Sequence, residues 1–247
     1  MTIGFAGLLS VVWRLFRRDA TLMLPVIGAF VFLPAFAALL LCDPAPALPS
    51  GARDEAAMQA WINNVGMWGQ GNAIWVLLAE LIGTFGLAAI ALFLLEPDRL
   101  TIGQSLGQAL VRLVAFTIAT VTMAVPVALG LWMLVLPGLY VQARLIVAVP
   151  AMARHPALKP LASLRLSWKM TKGLDRALTG ALVALFLAQW LMVSPLLLAD
   201  ESLRGSAGNP LALALVDALI AGVGATYATA TLLLGVVAYR IRASKGT

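Results

Sequence analysis

Glu80, Arg144 and Asp217 are three ionisable residues that interrupt long apolar runs in this sequence. Each stands six or seven residues past the start of its run, and all three runs enter a membrane from the same side. At 1.5 Å of rise per helical residue this puts them about 10 Å deep. Equal depth on three helices allows them to meet, and an unpaired charge in hydrocarbon is costly. Arg144 is therefore expected to pair with Glu80, with Asp217 or with both. Two acids would then share one base, leaving one carboxyl free to hold a proton. Such a layer either fixes helix register or forms an ion or ligand site.

The other reactive side chains argue against catalysis. His155 is the single histidine, and it precedes Pro156 with no acid or nucleophile nearby in sequence. One histidine and one distant cysteine, Cys42, cannot build a common zinc site. The sequence carries no glycine-rich phosphate loop with lysine and no Gly-x-Ser-x-Gly elbow. The expectation is a protein that is not an enzyme and holds no cofactor and no metal. Cys42 follows Leu41, where a lipoprotein cleavage site wants a small residue, and the run from Thr21 to Cys42 exceeds a signal h-region. That run reads as a retained membrane helix.

Composition sets the elements that must carry these residues. Of 247 residues, 62% are hydrophobic and 11% charged, with a mean hydropathy of +0.95. A soluble domain is nearer a quarter charged. Candidate spans of about 20 apolar residues cover 21–42, 73–95, 113–136, 138–153, 177–199 and 211–239. The fold class is an all-α polytopic transmembrane bundle of six spans in one membrane domain. Leu136-Pro137-Gly138 reads as a tight turn between the third and fourth spans, and Pro126, Pro150 and Pro195 are expected to kink theirs.

The net charge of +6 is distributed as a topology signal and not as a nucleic-acid patch. Fourteen of the 17 Lys and Arg residues fall on the side of the N-terminus, against Arg53 and Arg204 opposite and Arg144 within a span. Both termini are thus expected on the cytoplasmic side. Trp75, Trp132 and Tyr140 fall near outer ends, and Trp13, Trp168 and Tyr239 near inner ends. The outer segment after Cys42 begins extended, then forms a short helix from Asp54 to Val65 that Trp61 and Trp68 would rest on the bilayer.

Basic amphipathic stretches precede each pair of spans, at 3–18, 101–112 and 160–172. They fit three units, each an interfacial helix plus a hairpin. Arg14, Arg17 and Arg18 in the first, with Arg165, Lys169 and Lys172 in the third, are candidates for contact with anionic lipid headgroups, at about 1 kcal/mol each. Small residues at helical spacing, Ala218, Gly222, Ala225 and Thr229 in the last span and Gly83 and Gly86 in the second, read as close helix packing.

The stretch from Leu136 to Gly173 carries Leu-Pro-Gly-Leu-Tyr-Val-Gln-Ala-Arg-Leu, then Val149-Pro150-Ala151, then Leu161-Ala162-Ser163-Leu164-Arg165-Leu166-Ser167-Trp168-Lys169-Met170-Thr171-Lys172-Gly173. It resembles bacterial membrane proteins related to the membrane domain of glycerophosphoryl diester phosphodiesterases. The resemblance implies a bacterial inner-membrane bundle of about six spans, with Arg144 and Trp168 at family-pattern positions. The hydrolase domain is absent, so no activity is implied. The sequence is read as a non-enzymatic scaffold, accessory subunit or assembly factor of a membrane complex, or an organiser of envelope lipid. Its partners would be membrane lipids, anionic ones above all, and a membrane protein, with no nucleic acid. The alternative is a transporter of an ion, small molecule or lipid that uses the Glu80, Arg144 and Asp217 layer.

The orientation is checked by fusing a fluorescent protein or a periplasmic phosphatase to each terminus. Fluorescence without phosphatase activity is expected at both ends, and phosphatase activity at either end refutes it.

Overall fold

The computed structural model describes residues 4–44, 46, 49, 54–96, 100–205 and 209–244. Ile3, Arg53, Arg99 and Lys245, used in the charge and helix assignments above, lie outside them. The described chain is all-helical: α1 (Phe5–Ile27), a π-helical segment (Gly28–Phe32), α2 (Leu33–Leu41), α3 (Glu55–Leu95), α4 (Ile102–Val111), α5 (Leu113–Met133), α6 (Val135–Leu145), α7 (Ala148–Arg154), α8 (Pro160–Met170), α9 (Asp175–Gly205) and α10 (Pro210–Ala243). Six helical stretches among the described residues are long and apolar enough to cross a membrane, from Phe5–Leu41 to Pro210–Ala243, the fourth of them, Val135–Arg154, made of α6 and α7.

Several boundaries differ from the sequence reading, each for a local reason. The interfacial helix expected over 3–18 is not separate, because α1 runs unbroken into the first span. No residue between Arg18 and Thr21 breaks a helix. The distortion comes later, between Pro25 and Pro34, as the π turn at Gly28–Phe32. A proline ring collides with the carbonyl four residues earlier. For Pro34 that carbonyl belongs to Phe30, inside the widened turn. The second and third amphipathic stretches do stand apart as α4 and α8. Thr101 and Gln104 close a capping box at the start of α4.

Likewise, the short surface helix expected over 54–65 is the first part of α3, a 41-residue helix capped by the Asp54 side chain on the Ala57 amide. At about 60 Å it outruns the hydrocarbon core. Trp61 and Trp68 do not serve as bilayer rests alone. Their indole N–H groups donate to the Pro46 and Asp43 carbonyls, at 3.1 and 2.7 Å, and strap the post-α2 segment to α3. Buried Asn72 completes the strap by accepting from the Asp43 amide at 3.0 Å.

The turn between the third and fourth spans falls at Leu134, which is fully extended, and not at Pro137-Gly138. Proline is tolerated in the first turn of a helix, where its missing N–H is not needed, so Pro137 sits inside α6. Gly138 serves packing instead: a methyl group on Gly130 would come within 2.7 Å of its Cα. Pro150 lacks the N–H that would bond the Ile146 carbonyl four residues earlier, and the fourth span breaks there, at Ile146–Val147, between α6 and α7. Pro126 and Pro195 do lie inside α5 and α9.

Packing is lopsided along the bundle axis. Leu8, Val12, Ala88–Leu92, Phe116, Val147, Ala151–Ala153, Leu178, Leu182 and Leu233–Val237 form one buried core. All belong to the end of the bundle that carries both described termini, here the basal end. Tyr239, expected as an interfacial anchor, is 7% exposed in this core and bonds His155 Nε2 at 2.9 Å. The opposite, distal halves of the helices spread apart.

Glycines mark the tight points of the base. A methyl group on Gly235 in α10 would overlap the Ile146 carbonyl oxygen, and one on Gly86 would come within 2.6 Å of Phe30 Cβ in the π turn. Gly224, by contrast, has open space at its Cβ. Replacing a helical glycine with alanine gains about 0.5–1 kcal/mol where there is room, whereas overpacking costs about 1–3 kcal/mol. Gly235→Val should therefore lower the melting temperature and Gly224→Ala should hold or raise it. Equal effects would refute this account of the base.

Candidate functional site

The distal halves enclose a cavity of about 1070 Å³ between α2, α3, α5, α6, α9 and α10. It exceeds the roughly 300–1,000 Å³ usual for ligand sites. Small side chains leave it open: Ala35, Ala38, Ala79, Gly83, Gly224, Ala225 and Ala228 all line it. Two of the residues expected to pack helices closely, Gly83 and Ala225, thus border empty space. Of the other four, Gly86 makes the tight approach to the π turn, Gly222 is in ordinary contact with Phe32 at 4.0 Å, Thr229 is buried and Ala218 half-buried. The floor is apolar, formed by Phe116, Ile146, Val149 and Leu232 at the edge of the basal core.

Every charged residue on the described cavity wall lies towards the distal end. They are Asp43, Glu80, Asp200, Glu201 and Asp217, against the single base Arg204. The hydropathy pattern puts Arg204 in an outer loop. It stands in the last turn of α9, because the helix runs past Ala199 to Gly205. Its Nε donates to both oxygens of Asp200 at 3.0 Å, one turn earlier, and its Nη2 reaches Asp217 of α10 at 3.5 Å. Asp217 is 2% exposed, so this ion pair is how α10 carries a carboxylate in an apolar helix. The cavity wall also holds one polar rung, the Tyr227 hydroxyl donating to Gln142 Oε1 at 3.4 Å.

The expected Glu80–Arg144–Asp217 layer is not assembled. Glu80 and Asp217 share the cavity wall, but Arg144 is not on it and makes no salt bridge with either among the described residues. The misplacement follows from α8, which doubles back along the fourth span from a five-residue connection. Tyr140 and Trp168, expected at opposite faces, meet edge-on with ring centroids 6.4 Å apart. Arg144, 6% exposed, donates through Nη2 to the Trp168 carbonyl at 2.7 Å and lies 4.6 Å from the centroid of its indole. A carbonyl and a π face replace the expected carboxylate.

Beside it, the hydroxyls of Ser167 in α8 and of its C-cap Thr171 repair the break between α6 and α7. The Ser167 hydroxyl accepts from the Val147 amide at 3.1 Å and donates to the Arg144 carbonyl at 2.9 Å. Thr171 donates to the same carbonyl at 3.2 Å. Three arginines of the basal end similarly donate to carbonyls of neighbouring segments: Arg112 to Met152, Arg240 to Leu94 and Arg242 to Lys172. Arg112 and Arg240 oppose the negative ends of α7 and α3, a role beyond topology signalling. Of the residues expected to meet lipid headgroups, Arg14, Arg17, Arg165, Lys169 and Lys172 are exposed, and Arg18 pairs with Asp19 at 2.7 Å.

Comparison with protein-family models, curated proteins and solved structures finds no match for this chain.

Sequence reasoning missed Asn72, Asp200, Arg204, Ser167, Thr171 and Gly235. A signal existed for two pairs: Asp200 with Arg204 and Ser167 with Thr171 stand four apart, on one helical face. Ser167→Ala would strand the Val147 amide in the core, at a cost of about 1–3 kcal/mol. A matching fall in thermal stability in detergent is expected, and an unchanged melting temperature refutes the clamp.

Proposed function

We propose that this chain is a non-enzymatic, multi-pass protein of a bacterial inner membrane that binds an amphipathic, lipid-like molecule in its distal cavity, to carry or present it. The observation that carries the reading is the cavity itself: ligand-sized, apolar at its floor and charged at its mouth, above a densely packed base. In this reading both termini are cytoplasmic and the cavity opens towards the outer leaflet. The basal surface, with Arg14, Arg17, Arg165, Lys169 and Lys172 exposed, meets anionic headgroups of the inner leaflet. Membership of the family that resembles the phosphodiesterase membrane domain is part of the same proposal, supported by the motif at Leu136 to Gly173.

The test is mass spectrometry of the protein extracted with its native lipid, alongside Gly224→Trp. The substituted indole projects into open space on the cavity wall, so the variant should fold. A single amphiphile retained by the native chain and lost from the variant is the expected result. A chain that carries no such molecule, or a variant that keeps it, refutes the reading. A stoichiometric protein partner in its place would favour an accessory subunit.

A further inference from the structure

We infer that the molecule in the cavity carries a cationic head, an ammonium or similar group, on an apolar chain, and that its head displaces Arg204 from Asp217. The inference rests on an amphiphile occupying the cavity and adds its charge. Two independent features of the wall point to it. Among the described residues the floor offers no charge, and Thr231 Oγ1 is a buried hydroxyl without a partner there, so it suits a chain and not an ion. Among the described residues, the mouth offers five carboxylates against one guanidinium.

That guanidinium is already committed. Arg204 holds Asp200 with Nε at 3.0 Å from both carboxylate oxygens, whereas its contact with Asp217 is long, at 3.5 Å. Asp217 is nevertheless the most enclosed of these carboxylates, at 2% exposure of its side chain. A buried carboxylate with a half-share of one cation leaves room for a second cation. Glu80, exposed one helix away on α3, faces the same space and has no salt bridge among the described residues. A head entering between α3 and α10 would meet Glu80 and Asp217 together, while Arg204 stays on Asp200. An anionic head would meet Asp43, Glu80 and Glu201, which have no salt bridge among the described residues, and Asp217, which only shares Arg204, so like charges would repel it.

The chain supplies its own reporter. Cys42, its single cysteine, is half-buried on the cavity wall beside Asp43. The full chain in lipid nanodiscs is treated with cationic and anionic methanethiosulfonates of similar size, with rates normalised to a free thiol. Cys42 should react about tenfold faster with the cationic reagent, as expected of a cleft of one charge sign. Asp217→Asn should reduce that preference, and Glu80→Gln, at an exposed site, should do so even if the buried change impairs folding.

Then a neutral thiol reagent is used while hexadecyltrimethylammonium, hexadecyl phosphate or tetramethylammonium is added. Protection of Cys42 by the first alone supports the inference. Equal protection by the cationic and anionic amphiphiles leaves an amphiphile site but overturns its charge selectivity. Protection by tetramethylammonium as strong as by its long-chain relative overturns the role of the apolar floor. Absence of protection by any of them overturns both the cationic head and the amphiphile reading. An equal rate for the two charged methanethiosulfonates overturns the acidic mouth.

Discussion

An apolar solvent leaves backbone amides and carbonyls no partner outside the protein, so a helix that breaks inside a membrane bundle must be repaired from within it. The fourth span breaks at Ile146–Val147, and the basal half of the molecule is organised around that repair. Ser167 and Thr171 bring hydroxyls to the Arg144 carbonyl, and Ser167 also receives the Val147 amide. For this, α8 must fold back along the span. Small Ser163 and Ser167, both fully buried, let it come close. On the other side, Gly235 lets α10 approach the Ile146 carbonyl. A side chain at that position would hold the two spans apart.

With α7, α8 and α10 locked around the break, the base has little freedom, and the distal halves take up the variation. The first helix changes character at this boundary. Its π turn rests on Gly86, the last tight contact before the cavity begins. Beyond it several wall positions are alanine or glycine, among them Ala35, Ala38, Ala79, Gly83, Gly224 and Ala228, and leave the gap open. The bundle is thus closed at one end by shape complementarity and open at the other for lack of side-chain volume. Charge follows the same division. Basic residues of the base donate to backbone carbonyls of neighbouring segments, whereas acidic residues gather on the wall where the helices part.

The distal acids are held by different means. Asp200 gains its partner from its own helix, one turn on, which requires no tertiary fold. Asp217 depends on α9 continuing past the apolar run so that Arg204 reaches it. The second pair is longer and more enclosed, so a wall that shifts by an ångström changes the Asp217 contact before the Asp200 one.

Hydropathy and charge count determined the fold class and the six helices, because a bilayer allows few solutions to a chain this apolar. The equal depth of Glu80 and Asp217 could be read, since depth along a helix follows from rise per residue alone. The partner of Arg144 could not. Depth says nothing about rotation around the axis or about a helix that doubles back, and α8 brings Trp168 to Arg144 from a segment read as purely interfacial. For the same reason small residues could be recognised but not sorted. Gly86 and Gly235 admit a neighbouring helix, while Gly83 and Gly224 border a void. A glycine in sequence records only that volume is missing, and the placement of the surrounding helices decides whether backbone or empty space takes it up.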